Sequence, residues 1–590
     1  VEPLLRHGLW ITIGVALVAR LLHLWNVRAN DPLYAQAFPD TDMRTYWDWA
    51  KAIQGGDLLS SKYGVFYYGP LYPYFLAAVF AVFGPKFGVV HGIHALVGLV
   101  APALAFLTAR RLFGSAEALA AGLLTALCAP FLLYEQTLLM EGLLLAIHAA
   151  ILWCVVTGQD ARRRAWMYAA AAGFLSGVAC LGRGNFLLVI PLLAGVWVLV
   201  PWLMPDRAIE SAAPEPVDAP ARRRGGISRL VPALAFVLAA SVVLGTSLAR
   251  NRFVGGRWVL TTGNGPILFY IGNAYDSYGV FHYPDSFEKL KQKYGGDQGA
   301  VPWGKELRSS VLGHPGNFLK LMGRKAAMFI SSYDVADNIS YYLNRRFSWV
   351  FGWNPLNWTL IVPLGALGAW VTRRSWRRQI FLHVYALGFA ASIIAVFVVG
   401  RYRLQFLLPL LLWAGAGVCA LVRAFWQGQV ARAGGMAVAV TLLAVSLMPQ
   451  WSPGARVNTP LGVPRFCLVR SNDYVMLARA YQVLKQKDKT MSVLAEAAEQ
   501  HPWDRPVTGR YAAMLTEAKR PLDAAGVLQK YLSYNGRDID AGLHLASVLA
   551  MGGRQKDALA ILHNILRVDP ENATAKSALK NLETAVPGAR

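Results

Sequence analysis

Acidic residues are scarce in this chain: 34 Asp and Glu stand against 58 Lys and Arg in 590 residues, a formal charge of +24. Charge of either sign is also low, 16% of residues, where soluble domains carry about 25%. That argues against an ordinary water-soluble enzyme. Cysteine is nearly absent. Cys128, Cys154, Cys180 and Cys419 fall inside apolar runs, where a thiol acts as a small apolar group, and Cys467 stands alone, so no disulfide framework or zinc motif is present. The histidines lack metal-ligand spacing, and no glycine-rich nucleotide loop occurs. What is abundant is apolar: 55% hydrophobic and 12% aromatic residues exclude disorder and collagen, because that much surface must be buried. A basic chain of this kind points either to nucleic acid or to the positive-inside bias of membrane proteins, and the position of the charge separates the two.

Runs of near 20 apolar residues, enough to cross about 30 Å of hydrocarbon, recur through the first three quarters of the chain. They predict spans at 8–25, 88–109, 117–134, 138–157, 166–182, 186–203, 230–249, 349–371, 379–399, 404–422 and 434–449. The first is read as a retained helix, since its apolar stretch runs past Arg20 to Leu24-Trp25 without a cleavage site. With a cytoplasmic N-terminus, the clusters Arg110-Arg111, Arg162–Arg164, Arg222–Arg224 with Arg229, Arg373–Arg378 and Arg423 with Arg432 all fall on the cytoplasmic side. Making Leu71–Gly84 a span would break this, so that short apolar segment is expected to lie in the outer interface. The loops 26–87 and 250–346 and everything after 450 are then extracytoplasmic. The loop 204–229, rich in Pro, Ala and charge, reads as a linker. The expected layout is a membrane domain over 1–450, a linker over 451–470 and a separate domain over 471–590.

The tail is nearly balanced, with 16 basic and 13 acidic residues, and has no membrane-length apolar run. A period of 34 is visible: Ala478, Ala512 and Ala546 align, as do Leu494, Leu528 and Leu562. Asp504 and Asp538 fall at repeat ends, where they can cap the next helix. The pattern resembles tetratricopeptide repeats, which implies an α-solenoid and a surface facing a protein or peptide partner.

The first outer loop carries the densest chemistry. Asp42 and Tyr46 are four apart on one helical face, with the carboxylate at the favourable end of the helix dipole. A carboxylate held there could take a proton from a hydroxyl or amine; the alternative is that Asp42 only caps its helix. Glu135 and Glu141 sit at another outer turn, where an acid is costly and needs a partner. Arg183, Arg250, Arg401 and Arg403 lie at outer ends of spans, against the charge bias.

Asp42-x-x-x-Tyr46-x-x-x-Ala50, the Gly55-Gly56 turn, Gly69-Pro70-Leu71-Tyr72-Pro73 and Phe83-Gly84 resemble the start of GT-C glycosyltransferases, nearest the family 39-like, protein-mannosyltransferase and aminoarabinose-transferase group. Gly173-x-x-x-Gly177 with Leu181-Gly182-Arg183-Gly184-Asn185, Arg250-Asn251-Arg252 with Phe269–Asn273, and Gly400-Arg401-Tyr402-Arg403 continue the likeness in order. Met43 stands where the family often has a second acid. The resemblance implies an all-α polytopic fold of about eleven spans with interfacial helices in the first outer loop. It also implies a polyprenyl-phosphate-linked sugar as donor, and Asp42 as catalytic base. An arginine's planar fork suits phosphate oxygens, so Arg401, Arg403, Arg183 and Arg250 are the expected donor-phosphate ligands. Tyr46, Glu135, Glu141, Asn273, Asp334 and Asp337 are the expected contacts to acceptor or sugar, and Asp42 with Glu135 the carboxylates open to a divalent cation (Mg or Mn). The expected setting is a bacterial inner membrane with membrane lipid as partner and the repeats in the periplasm. Nucleic acid is disfavoured because the arginines are short loop clusters. A non-catalytic scaffold and a transporter are the alternatives from other classes.

Overall fold

A chain segment in hydrocarbon must satisfy its own N–H and C=O groups, which a helix does. The computed structural model, which describes residues 6–38, 41–161, 164–203, 226–462 and 464–585, places a helix on each of the eleven expected spans. Among the described residues, six are long and apolar enough to cross a membrane: Gly8–Asn30, Phe87–Leu112, Glu141–Asp160, Ala165–Gly182, Leu230–Gly255 and Gly400–Trp426. A seventh follows if Ser115–Ala126 and Ala129–Glu135, bent by 48°, form one span. The others are the shorter helices Gly184–Val200, Trp358–Val371, Ile380–Ile394 and Val430–Ser446. Of the eleven expected spans, six or seven are thus matched by helices of full length among the described residues. Local breaks shorten the rest: Asn354-Pro355 precede Trp358, and the Arg373–Gln379 turn precedes Ile380. The Leu71–Phe83 segment is a helix of 13 residues, closed by Gly84 at φ +74°.

The chain divides into two compact units, Val1–Gly454 and Ala455–Arg590. In the first, close helix approach is set by glycine. A Cβ on Gly173 would lie 2.0 Å from the Phe236 carbonyl oxygen, and one on Gly177 2.8 Å from the Val243 Cβ, so the G-x-x-x-G face lets Ala165–Gly182 seat on the Gly226–Gly255 helix. Leu238, Val242 and Phe425 are 65–70% exposed, the apolar outer face a bilayer would cover.

The described arginine clusters share one end of the bundle. Arg378 donates to the Arg111 carbonyl at 2.6 Å, Gln159 donates to the Arg378 carbonyl at 3.0 Å, and Arg423 pairs with Glu117. Arg162, Arg163 and Arg222–Arg224 lie outside the described residues, as does the Arg229 side chain. At the opposite helix ends stand Glu141, Arg183 and Arg401, together with the segment 256–346. That segment forms helices Gly265–Asn273, Asp285–Lys293, Trp303–Gly313 and Pro315–Ile330, the first three packed around Tyr270, Phe287 and Trp303.

The second unit opens with a two-stranded antiparallel ribbon, Arg456–Asn458 with Pro464–Phe466, inside the expected linker. Seven helices follow, pairing as 471–483 with 487–500, 505–517 with 521–532, and 539–551 with 555–568, before Ala573–Ala585. Ala478, Ala512, Ala546, Leu494, Leu528 and Leu562 are all at most 2% exposed, so the residues at the 34-residue period are the ones that fill the core. Asp504 and Asp538 cap their helices, accepting from the Val507 and Ala541 N–H groups at 3.1 Å.

Candidate active site

Asp42 is the first residue of the helix Asp42–Gln54, with Thr41 at the cap position. Its carboxylate does not turn back to cap that helix. Oδ2 receives Arg401 Nη2 at 2.6 Å and Asn338 Nδ2 at 3.0 Å, while the Asp42 backbone N–H donates to Asn338 Oδ1 at 3.0 Å. Oδ1 is left without a hydrogen-bond partner among the described residues, and the Asp42 side chain is 18% exposed. The carboxylate is thus held by a charge and an amide while its side chain stays partly exposed.

Arg401 is the centre of the cluster. The same Nη2 that meets Asp42 lies 2.5 Å from Asp337 Oδ2, and Nη1 lies 3.9 Å from Glu141 Oε1. Arg183 pairs with Glu141 from the other side and lies with its guanidinium 3.7 Å above the Tyr402 ring. Asp42, Asp337 and Glu141 thus share two arginines, and the formal balance of this group is one negative charge. Glu141 reaches the cluster because it begins the helix Glu141–Asp160 at the same end where Arg183 closes Ala165–Gly182.

The remaining expected site residues go elsewhere. Glu135 turns into the bundle and pairs with Arg20 at 2.8 Å, both side chains fully buried. Arg403 donates to the carbonyls of Met328, Phe329, Ser331 and Tyr333 at 2.6–3.0 Å, satisfying the end of the Pro315–Ile330 helix. Arg250 donates to the Leu59, Ser60 and Gly64 carbonyls and lies 3.7 Å over the Phe66 ring. Asn273 accepts from the buried Lys325 and donates to the Ala395 carbonyl, tying the segment 256–346 to the residues leading into Arg401. Burial lowers the Lys325 ammonium to about 7. Asp334 accepts from the Tyr134 hydroxyl at 3.0 Å; burial lifts its carboxyl to about 6, against the pull of Arg403 and that hydrogen bond. Tyr46 is buried, its ring edge-on to Tyr68 and Tyr72, and burial, then the Asp42 charge, raises its phenol. Of the eleven expected residues, the structure joins Asp42, Arg401, Arg183, Glu141 and Asp337 in one network, with Tyr46 packed beneath.

Asn338 and Tyr402 are parts of this site that the sequence reading passed over. Tyr402 lies inside the quoted arginine turn and was legible by position. Asn338 follows Asp337 directly, but nothing in one sequence ties it to a residue 296 positions away.

A divalent cation at Asp42 and Glu135 does not fit these residues. Glu135 belongs to the Arg20 pair, Asp42 to Arg401, and no group of three His, Cys, Asp or Glu suited to a metal ion occurs among the described residues.

Residues 68–206 match the family of dolichyl-phosphate-mannose-protein mannosyltransferases. The fold is similar to that of ArnT from Cupriavidus metallidurans in the apo state, at 17% identity over 97% of this chain and 84% of that one, TM-score 0.40. The same enzyme bound to undecaprenyl phosphate matches at 17% identity over 70% of this chain and 78% of that one, TM-score 0.29. The oligosaccharyltransferase of Archaeoglobus fulgidus in the apo form matches at 12% identity over 75% of this chain, TM-score 0.38; the chain spans 56% of that protein's length. No curated protein matches the chain. The family match supports a membrane glycosyltransferase, in agreement with the GT-C resemblance carried by the motifs.

Proposed function

We propose that this chain transfers a sugar from a polyprenyl-phosphate donor to an acceptor hydroxyl or amine at the extracytoplasmic face of a bacterial inner membrane. The observation that carries the reading is the state of Asp42: one carboxylate oxygen is held by Arg401 and Asn338, the other has no hydrogen-bond partner among the described residues, and the side chain is partly exposed. The acceptor proton moves to Asp42 Oδ1 as the acceptor oxygen or nitrogen attacks the anomeric carbon. The bond from that carbon to the phosphate oxygen breaks, and its electron pair leaves on the polyprenyl phosphate. Direct displacement inverts the carbon.

The phosphate gains a negative charge as it leaves, so a cation placed beside it binds the transition state better than the donor. Arg401 meets Asp42 directly, and Arg183 joins the same network through Glu141. Both are already paired with carboxylates, so the donor phosphate exchanges for one of those partners. Arg403 and Arg250 hold backbone carbonyls and shape the site without touching the donor in this reading. The cytoplasmic N-terminus follows from the arginine clusters at the far end of the bundle. The second unit is read as a tetratricopeptide solenoid offering a protein-binding surface.

The test is transfer from a panel of polyprenyl-phosphate hexoses and pentoses by the purified full chain, with cell-envelope extract supplying acceptors. Asp42→Asn is expected to cut turnover by about 100-fold or more, while polyprenyl phosphate binding, followed by native mass spectrometry, persists. Turnover undiminished in that variant would remove Asp42 as the base.

A further inference from the structure

The segment Asp337-Asn338 meets the site twice. Asp337 takes the same guanidinium nitrogen of Arg401 that Asp42 takes, at 2.5 Å, and Asn338 forms a closed pair of hydrogen bonds with Asp42, both 3.0 Å. In this pair the asparagine donates from Nδ2 to the carboxylate and accepts at Oδ1 from the Asp42 backbone N–H. The amide does both with its two ends, whereas an ionised carboxylate would accept but not donate. The segment itself is anchored, since the Gly400 N–H donates to the Val335 carbonyl at 2.8 Å and the Ser332 N–H to the Leu447 carbonyl at 2.7 Å.

We propose that Asn338 is a positioning residue for Asp42: it fixes the carboxylate so that Oδ1 is the oxygen that takes the acceptor proton, and it keeps hold when Arg401 turns to the donor phosphate. The inference rests on the reading of Asp42 as base. Two groups hold Asp42 Oδ2, and they differ in kind. Arg401 is a charge shared with Asp337, so a phosphate that draws it away leaves it still tied to Asp337. Asn338 is neutral, has no attraction for a phosphate beyond one hydrogen bond, and is covalently next to Asp337. When Arg401 leaves, Asp42 would rotate about its side-chain bonds unless a second donor remained, and Asn338 is that donor. A misplacement of a reacting group by about 1 Å can cost 100-fold in rate, so the loss of this hold is read in turnover more than in donor affinity.

The experiment uses the full chain in detergent and whichever polyprenyl-phosphate sugar of the panel the unaltered protein consumes. Asn338→Ala is expected to lower kcat by about tenfold or more with the donor KM within about threefold. Asn338→Asp places a second carboxylate against Asp42, which favours the protonated base; the acid limb of its pH–rate profile is expected about one unit or more higher than that of the unaltered protein. If Asn338→Ala elutes as aggregate, Asn338→Leu, near in size and without a donor or acceptor, decides in its place by the same kcat and KM criterion. An acid limb that stays put in Asn338→Asp, or a kcat within threefold in the variant that lacks the amide, overturns the proposal. Asp42→Asn, measured beside them, separates the two failures. If it is inactive while the Asn338 variants behave normally, the base stands and the positioning role falls. If it is active, the reading of the site falls first.

Discussion

Asp334 lies beneath the Asp42 cluster, with one carboxylate oxygen accepting from Tyr134 and the other without a hydrogen-bond partner among the described residues. It packs so closely on the Arg401 turn that a Cβ on Gly400 would fall 2.0 Å from its Oδ1. Burial raises its carboxyl from 3.8 to about 6, so between those values the folded protein keeps a proton that the unfolded chain has released. That contribution to stability is full below about pH 4 and is lost as pH rises through about 6. Comparing thermal unfolding of the unaltered protein and Asp334→Asn should show the unaltered protein losing up to about 3 kcal/mol of stability relative to the variant between pH 4 and 7. A difference that is flat across this range would mean that Asp334 does not carry the proton. The same residue shows why residue type alone misleads. Asp334 and Asp337 were equally good candidates by position, yet one is sealed against Tyr134 and the other is 14% exposed on Arg401.

Helices place the charges, and the spacing between helices decides which charges meet. Glu141, Arg183 and Arg401 come together because each lies at the same end of a long apolar helix. Their distances depend on how closely those helices pack, and glycines set that limit. Gly173→Ala adds a Cβ 2.0 Å from the Phe236 carbonyl oxygen, whereas Gly195→Ala meets nothing within 4 Å. The first is expected to destabilise the membrane unit by about 1–3 kcal/mol, and the second to be neutral or slightly stabilising. Thermal midpoints in one detergent check this; equal midpoints for the two variants would show that the helices accommodate the methyl. The G-x-x-x-G spacing was legible because small residues four apart share one helix face. Its partner, the helix through Phe236 and Val243, was not, since nothing local says which helix arrives there.

At the scale of the whole chain, the division at Gly454 and Ala455 separates a membrane unit from one with a core of its own. The second unit buries Ala512, Leu528, Ala546 and Leu562 within itself, so residues 455–590 expressed alone are expected to be soluble, helical by circular dichroism and to unfold in one cooperative transition. Loss of helicity on separation would show that the core needs the rest of the chain. The sequence by itself determined the apolar helices, the gathering of arginine clusters at one end and the 34-residue period. These are properties of neighbouring residues: hydrophobicity, charge bias and repeat spacing are written locally. It also marked Asp42 and Arg401 as candidates for the site. The tertiary structure alone decided that Arg401 and not Arg403 meets Asp42, that Glu141 and not Glu135 joins them, and that Asn338 completes the hold. Those contacts join residues 359 and 296 positions apart, and in a close-packed bundle a turn of one helix face sends an identical side chain either to the site or to a backbone carbonyl.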